Sequence, residues 1–376
     1  MTLIPGIVWE KWIFPRYPKM SSNFADLLLI TSSAQCVRRD NSWSLQSESC
    51  DPFGRLINYY SIIPKIFNRF GFYQESTVIL GYLFGISFLL IYCLFFSFEI
   101  EVSKRNTLVL TLFLASPPMV LLVERGNSDI LMFILVISGF MMRNKANGIM
   151  SVLLFSISLL IKPYSFVLII YLYFSYKFRA MHILLFISAS IFVYSLVQKD
   201  LSIMYGRTFQ ILDLSFGARQ IFLISQLIFD NEFIPPKIQS VYVIMVSVLS
   251  LFTAKLYGQK ITKLYANCKK RDLLTFSSVL FVGIFTMGNS YDTRLWVILP
   301  FIAWLLENRY WRAAIFISTG LHLSFLAHPW DLLLDLYLYA IVSFMGAHLI
   351  LIGYSKTKRI MESSKSRIKS FRNYLD

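Results

Sequence analysis

The sequence predicts an all-α, polytopic transmembrane helical bundle. Apolar residues make up 56% of the 376-residue chain and charged residues only 15%, whereas soluble domains contain about 25% charged residues. The mean hydropathy of +0.59 agrees with this class. Apolar stretches alternate with short basic runs, which is the pattern of helices that cross a bilayer and of the loops that join them. The lipid bilayer is therefore the first partner that the sequence indicates.

Eleven apolar stretches are candidates for transmembrane helices. Several contain close to fourteen residues, fewer than the roughly twenty that a straight span requires, so their helices must extend into polar flanks or be buried in the bundle. We expect about eleven spans within a transmembrane domain over residues 77–355. The stretches cover residues 77–98, 107–123, 129–142, 148–161, 164–176, 182–198, 238–256, 273–287, 295–306, 313–327 and 332–354.

Lysine and arginine are unevenly distributed among the connections. Alternate connections and the C-terminal tail hold 21 basic residues, and the intervening connections hold 7. Because cytoplasmic loops carry the basic excess, we expect a plasma (inner) membrane protein whose basic tail, residues 356–376, is cytoplasmic. This topology explains the net charge of +15. No nucleic-acid partner is expected, because the basic residues are not gathered on one soluble face.

Residues 1–76 form an extracytoplasmic N-terminal segment in this topology, although they contain no apolar run that could carry them across the membrane. Either a preceding helix, a twelfth span, was lost to a misplaced start or frameshift, or the first helix inserts as a reverse signal anchor. Residues 24–37 are predicted to form an amphipathic helix on the membrane surface. Cys36 and Cys50 either form a disulfide in an oxidising periplasm or remain unpaired. The four cysteines have no metal-site spacing.

Four outward connections are compact and rich in charge. A charged group at the end of a span is costly unless it lines a polar cavity or pairs with another charge. Pro117 and Pro118 are expected to bend the second helix just before the first of these connections. A shared outward-facing cavity explains all four, and the alternative for any single one is an interfacial anchor. The connections are residues 124–129, 162–164, 288–294 and 328–331.

The motifs in these connections follow a recognisable order. They are Asp51-Pro52-Phe53-Gly54-Arg55 with Asn58-Tyr59, then Glu124-Arg125-Gly126-Asn127-Ser128-Asp129, Lys162-Pro163-Tyr164 and Tyr291-Asp292-Thr293-Arg294-Leu295. Over roughly residues 23–306 the chain resembles the C-type glycosyltransferases, and within them glycosyltransferase family 87, the polyprenyl-phosphate-mannose-dependent mannosyltransferase-like proteins. The Glu-Arg-Gly-Asn-x-Asp run before an apolar helix is the most specific element. The absent first span and Tyr60, where many relatives have proline, depart from the family pattern.

The resemblance implies a C-type glycosyltransferase fold with its active site at the extracytoplasmic face. It also implies a sugar donor linked to a polyprenyl phosphate, a glycan or glycolipid acceptor, and a catalytic carboxylate in the first outer loop. Asp26 is the first candidate for this base and Asp51 the second. The alternative is that either carboxylate caps a helix or pairs with an arginine. The expected activity is transfer of a mannose-like hexose.

An inverting transfer requires a carboxylate that accepts the proton of the acceptor hydroxyl and cations that stabilise the leaving phosphate. Arg125, Lys162 and Arg294 are predicted to bind the donor phosphate, and interfacial snorkelling is the alternative. No covalent cofactor and no protein-bound metal site are predicted, while a divalent-metal requirement and the oligomeric state stay open. The residues predicted to orient these cations or to bind sugar hydroxyls are Glu124, Asn127, Asp129, Tyr291 and Asp292.

Acceptor binding is assigned to two weaker candidates. His328 and Asp331 lie near the mouth of the last helices, where a structural role is the alternative, and the long outer connection 199–237 suits acceptor recognition. Two other functions compete with transfer: a flippase or transporter of lipid-linked sugars, and a polysaccharide polymerase. The charges lie at outer helix ends and the sequence has no evident repeat, which disfavours a transporter. A polymerase typically has one dominant outer loop, and this chain has two of middling size.

Overall fold

The computed structural model describes residues 24–39, 50, 59–144, 148–175, 177–207, 215–216, 239–286, 290–323 and 330–375. These residues form fourteen α-helices, three short 3-10 helices and one pair of two-residue strands. The predicted all-α class is confirmed. Each of the eleven predicted apolar stretches contains a helix.

The α-helices are numbered in chain order. They are α1 (Ala25–Arg39), α2 (Ile62–Arg69), α3 (Thr77–Glu99), α4 (Lys104–Leu114), α5 (Pro117–Glu124), α6 (Asp129–Met141), α7 (Gly148–Ile161), α8 (Leu168–Phe174), α9 (Ala180–Arg207), α10 (Gln239–Asn267), α11 (Arg271–Thr286), α12 (Leu299–Glu307), α13 (Trp311–Leu323) and α14 (Trp330–Leu375). The 3-10 helices cover Gln74–Ser76, Pro163–Val167 and Asp292–Ile298. Strands β1 (Ser215–Phe216) and β2 (Ser290–Tyr291) pair antiparallel.

The predicted count of eleven spans is wrong for the part of the chain that the structure describes. Three helical ranges there are long and apolar enough to cross a membrane, namely Gln74–Glu99, Ala180–Leu201 and Leu336–Lys358. The α4–α5 pair, bent by 58°, makes a fourth if it is counted as one span. Shorter apolar helices such as α6, with 13 residues, extend only ~20 Å and fall short of a hydrocarbon core of about 30 Å.

The bend between α4 and α5 follows from the sequence. Pro117 and Pro118 occupy the first turn of α5, where proline is tolerated, but they lack the N–H groups that would continue α4. A ring nitrogen of His322, on α13, lies 2.8 Å from the main-chain oxygen of Leu112 and gives this carbonyl a partner near the break. The bend therefore ends the span early and leads directly into the charged run at Glu124.

Helices α6 and α11 lie in the core, where many of the contacts are between aromatic rings. Phe133 of α6 packs against Phe88 of α3 at 4.6 Å between ring centroids and edge-on against Trp296 at 5.5 Å. Twelve of the sixteen residues of α11 are buried. By contrast, α3 and α9 expose large apolar side chains, for example Ile79 and Ile191, each 65% exposed. Faces of this kind suit contact with lipid, in agreement with a membrane location.

The helix predicted over residues 24–37 is present as α1. Ten of its fifteen residues are buried, and it packs against α2, the Gln74–Ser76 turn and the start of α3. The hydroxyl oxygens of Thr31 and Thr77 are 2.6 Å apart at this contact. Cys36 and Cys50 are joined in a disulfide with their Cα atoms 5.9 Å apart. At the other terminus, α14 continues as one helix through the basic tail to Leu375.

Candidate active site

The loop between α5 and α6 presents the polar residues of the most specific motif. Gly126 has a φ of +58°, a left-handed conformation that glycine adopts without steric cost, and it turns the chain sharply after Arg125. The Asn127 Oδ1 atom then accepts a hydrogen bond from the main-chain N–H of Asp129 at 2.9 Å, which fixes the start of α6. The loop therefore presents Arg125, Asn127 and Asp129 at one end of the bundle, which we call the outer end, following the predicted topology.

Asp26 is held by two residues of this loop. Its Oδ1 atom lies 2.6 Å from Nη2 of Arg125, and its Oδ2 atom accepts a hydrogen bond of 2.7 Å from Nδ2 of Asn127. The main-chain N–H of Asp26 also donates to the carbonyl of Arg125 at 3.0 Å. Asp26 lies in the first turn of α1, where the helix dipole favours a carboxylate.

Asp129 contacts side chains from two further segments. It is only 1% exposed, and its Oδ2 atom lies 2.8 Å from Nζ of Lys162 and 3.7 Å from Nε of Arg294. The Tyr164 hydroxyl donates a hydrogen bond to its Oδ1 atom. Lys162 and Tyr164 belong to the Lys-Pro-Tyr motif before α8, and Arg294 lies in the 3-10 helix before α12. Motifs that are distant in sequence therefore meet at one carboxylate.

Tyr59 lies between the two carboxylates. It is buried beside Asp26 and Asp129, and burial, followed by the charge of Asp26, raises the pKa of its hydroxyl. The Lys162 ammonium lies 5.9 Å from the Tyr59 ring centroid, and the Arg294 guanidinium lies 5.2 Å from that of Tyr164. These cation–π contacts add aromatic walls to the ion network.

Lys162 is the least exposed of the three cations that contact Asp26 or Asp129. Burial lowers the pKa of its ammonium, Asp129 opposes this effect, and Arg294 reinforces it. Asp129 therefore stabilises the charged form of Lys162. Arg125, Lys162 and Arg294 contact the carboxylates of Asp26 and Asp129, and the nearby carboxylate of Glu124 also acts on Arg125.

We call the residues that these contacts join the outer cluster. Its members are Asp26, Tyr59, Arg125, Asn127, Asp129, Lys162, Tyr164 and Arg294. Six of these eight are residues that the sequence singles out for catalysis or binding. Glu124, also predicted, is half-buried and accepts a main-chain hydrogen bond of 2.9 Å from Phe24 through its carbonyl oxygen.

Other predicted residues are not joined to the cluster by the described contacts. Asp51 and His328 lie outside the described residues, as does most of the 199–237 connection. Tyr291 pairs through its main chain with Ser215 in the small β-ladder, and Asp292 begins the 3-10 helix that carries Arg294. Asp331 lies in the first turn of α14.

Asp200 lies near the site, although no sequence pattern selects it. Its Oδ2 atom accepts hydrogen bonds from the main-chain N–H and the hydroxyl of Ser61, each 2.7 Å long. Ser61 precedes α2 and follows Tyr59 and Tyr60, so Asp200 anchors the segment that carries Tyr59 into the outer cluster. The two partners are 139 positions apart, and no local pattern marks such a pair.

A second ion cluster lies at the opposite end of α6, ~20 Å from Asp129 by helix length. Arg143 contacts Glu99 through Nη1 and Asp272 through Nε, both at 2.9 Å, and Nζ of Lys270 lies 3.2 Å from Glu99. Tyr171 and Ser175 donate hydrogen bonds of 2.8 and 2.7 Å to Asp272. We call these residues the inner cluster. In the predicted topology they lie at the cytoplasmic end.

Comparisons with known protein families, with curated proteins and with solved structures find no match. Among the described residues, no three His, Cys, Asp or Glu side chains are grouped in a way that suits a metal ion.

Proposed function

We propose that the protein is a membrane glycosyltransferase that moves a mannose-like hexose from a polyprenyl-phosphate donor to a glycan or glycolipid acceptor at the extracytoplasmic face. The observation that carries the proposal is the convergence of Asp26, Arg125, Asn127, Lys162 and Arg294, through shared contacts and with Asp129 at the centre. The family resemblance selects these residues from sequence, and their contacts supply the carboxylate and the cations that inverting transfer requires.

Asp26 acts as the general base in this proposal. Its carboxylate takes the proton from the acceptor hydroxyl while the hydroxyl oxygen attacks the anomeric carbon of the donor sugar. A new glycosidic bond forms as the bond between this carbon and the phosphate oxygen breaks, and polyprenyl phosphate leaves with the electron pair. Arg125 and Asn127, at 2.6 and 2.7 Å, hold the carboxylate in one orientation. Each carboxylate oxygen has lone-pair capacity for a further hydrogen bond.

Arg125, Lys162 and Arg294 bind the donor phosphate and stabilise the charge that develops on it. Their side chains remain 22%, 12% and 16% exposed, so each retains some accessible surface. Asp129, which is almost fully buried, orients Lys162 and Arg294 instead of taking part in proton transfer. Charged hydrogen bonds from fixed donors in a site of low polarity are among the strongest ways to lower the barrier to such a step.

The proposal is tested by reconstitution in proteoliposomes with a radiolabelled polyprenyl-phosphate hexose and a membrane extract as acceptor. Asp26→Asn keeps the size of the side chain and removes its basicity, so the transfer rate per folded molecule should fall by about 10³-fold. Glu75→Gln is the matched control, because Glu75 is an exposed carboxylate next to α1. Near-normal transfer by Asp26→Asn would reject Asp26 as the base.

Two further arms separate the remaining possibilities. If Asp26→Asn is active and Asp51→Asn is not, the second candidate is the base and the phosphate-binding assignment stands. If the protein instead moves a lipid-linked glycan across the bilayer without consuming the donor, it is a flippase and the transferase proposal fails.

A further inference from the structure

Phe24, the residue before α1, has an unusual backbone conformation. Its φ is +59°, in the left-handed region that bulky side chains rarely adopt, and its side chain is only 1% exposed. Its N–H donates a 2.9 Å hydrogen bond to the carbonyl of Glu124. A residue held in this way is fixed by its surroundings, and such residues are concentrated at functional sites. Phe24 lies two positions before Asp26.

Two glycines make room for Phe24. A Cβ atom on Gly81, in α3, would lie 2.4 Å from the Phe24 ring, and one on Gly126 would lie 3.2 Å from its Cβ and 3.0 Å from that of Leu27. The ring also packs edge-on against Tyr82 at 5.5 Å between centroids. The chain therefore enters α1 through a slot that has no room for an added carbon on the α3 side, at Gly81, and is tight on the side of the α5–α6 loop, where the positive φ of Gly126 also favours glycine.

The slot sets the position of the carboxylate. The bonds from Phe24 N–H to Glu124 and from Asp26 N–H to Arg125 bind the first turn of α1 to the loop, so that Asp26 faces Arg125 and Asn127. We propose that Phe24, Gly81 and Gly126 form a clasp in which Phe24 is a positioning residue for Asp26. This inference rests on the proposed function, and it assigns Phe24 no contact with substrate.

Gly85 offers a matched control one turn further along α3. A Cβ atom there would meet only a methyl carbon of Val123 at 3.3 Å, a contact that a small side-chain movement relieves. Gly81→Ala and Gly85→Ala thus add the same carbon to the same helix, and only the first opposes the Phe24 ring.

The experiment measures transfer by Gly81→Ala in two backgrounds, the natural sequence and Phe24→Ala, with Gly85→Ala beside each. Displacement of a catalytic group by about 1 Å can cost on the order of 10²-fold, so Gly81→Ala should lower kcat strongly while the donor KM stays near its original value. In the Phe24→Ala background, which lacks the Cγ and Cδ atoms that the added carbon would meet, Gly81→Ala should have little further effect. Equal losses in both backgrounds, or an equal loss with Gly85→Ala, would overturn the clasp.

A second readout does not depend on transfer. In a background with Cys93→Ser and Cys268→Ser, an Asp26→Cys variant is labelled with a membrane-impermeant maleimide. Gly81→Ala should speed labelling of the introduced thiol several-fold in the natural background and should add little further increase in the Phe24→Ala background. If the natural protein transfers no sugar but labelling follows this pattern, the proposed function fails and the clasp stands. If Gly81→Ala leaves the labelling rate unchanged, the clasp is rejected whatever the transfer activity.

Discussion

The two ends of α6 carry ion clusters that are built in different ways. In the inner cluster two carboxylates, Glu99 and Asp272, face two cations, Arg143 and Lys270. Asp272 lies in the first turn of α11 and Arg143 follows the end of α6, so both charges also suit the helix dipoles. The charges of these four residues are balanced and Asp272 has three partners, Arg143, Tyr171 and Ser175, which is the arrangement of a structural clamp.

The outer cluster differs in its backbone. Asp26 and Asp129 begin helices, but most of the other members lie near a left-handed glycine that follows a helix bend, or in and beside two 3-10 helices. Irregular backbone and buried charge are costly at a membrane unless they line a polar cavity. In the proposed function, buried charge serves stability at the inner end and ligand binding at the outer end.

The largest effect, a loss of folding stability, should come from a substitution in the inner cluster. Arg143→Met leaves Glu99 and Asp272 without their shared cation, and breaking a buried ion pair costs about 3–5 kcal/mol. We expect a large loss of the free energy of unfolding in detergent, with transfer per folded molecule and donor KM nearly unchanged. A variant that stays stable but loses transfer would place function at the inner end.

Lys162→Met should lower transfer strongly and stability only modestly, the reverse of Arg143→Met. Asp129 keeps Arg294 and Tyr164 as partners, so the stability loss should be smaller than with Arg143→Met. Removal of one preorganised donor to developing charge typically costs 10²–10³-fold, or about 3–4 kcal/mol of transition-state stabilisation. We expect kcat/KM for the donor to fall within this range. Unchanged kcat/KM would make Lys162 an interfacial anchor.

The pH dependence of donor affinity should show whether donor binding needs the charge of Lys162 in the outer cluster. Because burial lowers the pKa of Lys162, its ammonium loses its proton at a lower pH than an ordinary lysine, and donor binding should weaken as pH rises through that range. Lys162→Arg keeps the charge at all accessible pH values and should retain affinity at alkaline pH. Identical alkaline limbs in the two proteins would contradict a phosphate contact by Lys162.

The smallest effect, again on folding stability, should come from Asp200, which anchors the segment that carries Tyr59 into the outer cluster. Asp200→Ala removes the two hydrogen bonds to Ser61 that fix the start of α2, and loss of such a cap typically costs about 1 kcal/mol. Thermal unfolding should shift modestly, and Ser61→Ala should add little in the double variant because the two residues share one interaction. Additive losses would show that Asp200 acts elsewhere.

The sequence predicted more of the outer cluster than of the helical architecture around it. Arg125 and Asp129 were identifiable because charge beside apolar helices requires a partner or a polar cavity, whereas Asp26 was selected by the family resemblance. The span count failed because the short apolar stretches were expected to extend as helices into their polar flanks, whereas α6 and α7 end within the stretches that predicted them.

Other features depend on tertiary partners that no local pattern reveals. Arg143 and Lys270 read as loop charges in the topology count, yet they are paired with Glu99 and Asp272. Asp200 and Phe24 contact residues far away in the chain. The role of Gly81 could not be predicted either, since the constraint on it comes from the ring of Phe24, 57 positions earlier.

Equilibrium binding of polyprenyl phosphate to the purified protein tests the division between the two ends most directly. The outer double variant Lys162→Met with Arg294→Met is compared with the inner double variant Arg143→Met with Lys270→Met, each corrected for its folded fraction. Loss of two charged hydrogen bonds should weaken binding by about 10²-fold or more in the outer variant, while the inner variant binds like the natural protein. Equal affinities for all three, or a loss confined to the inner variant, would contradict the outer cluster as the phosphate site.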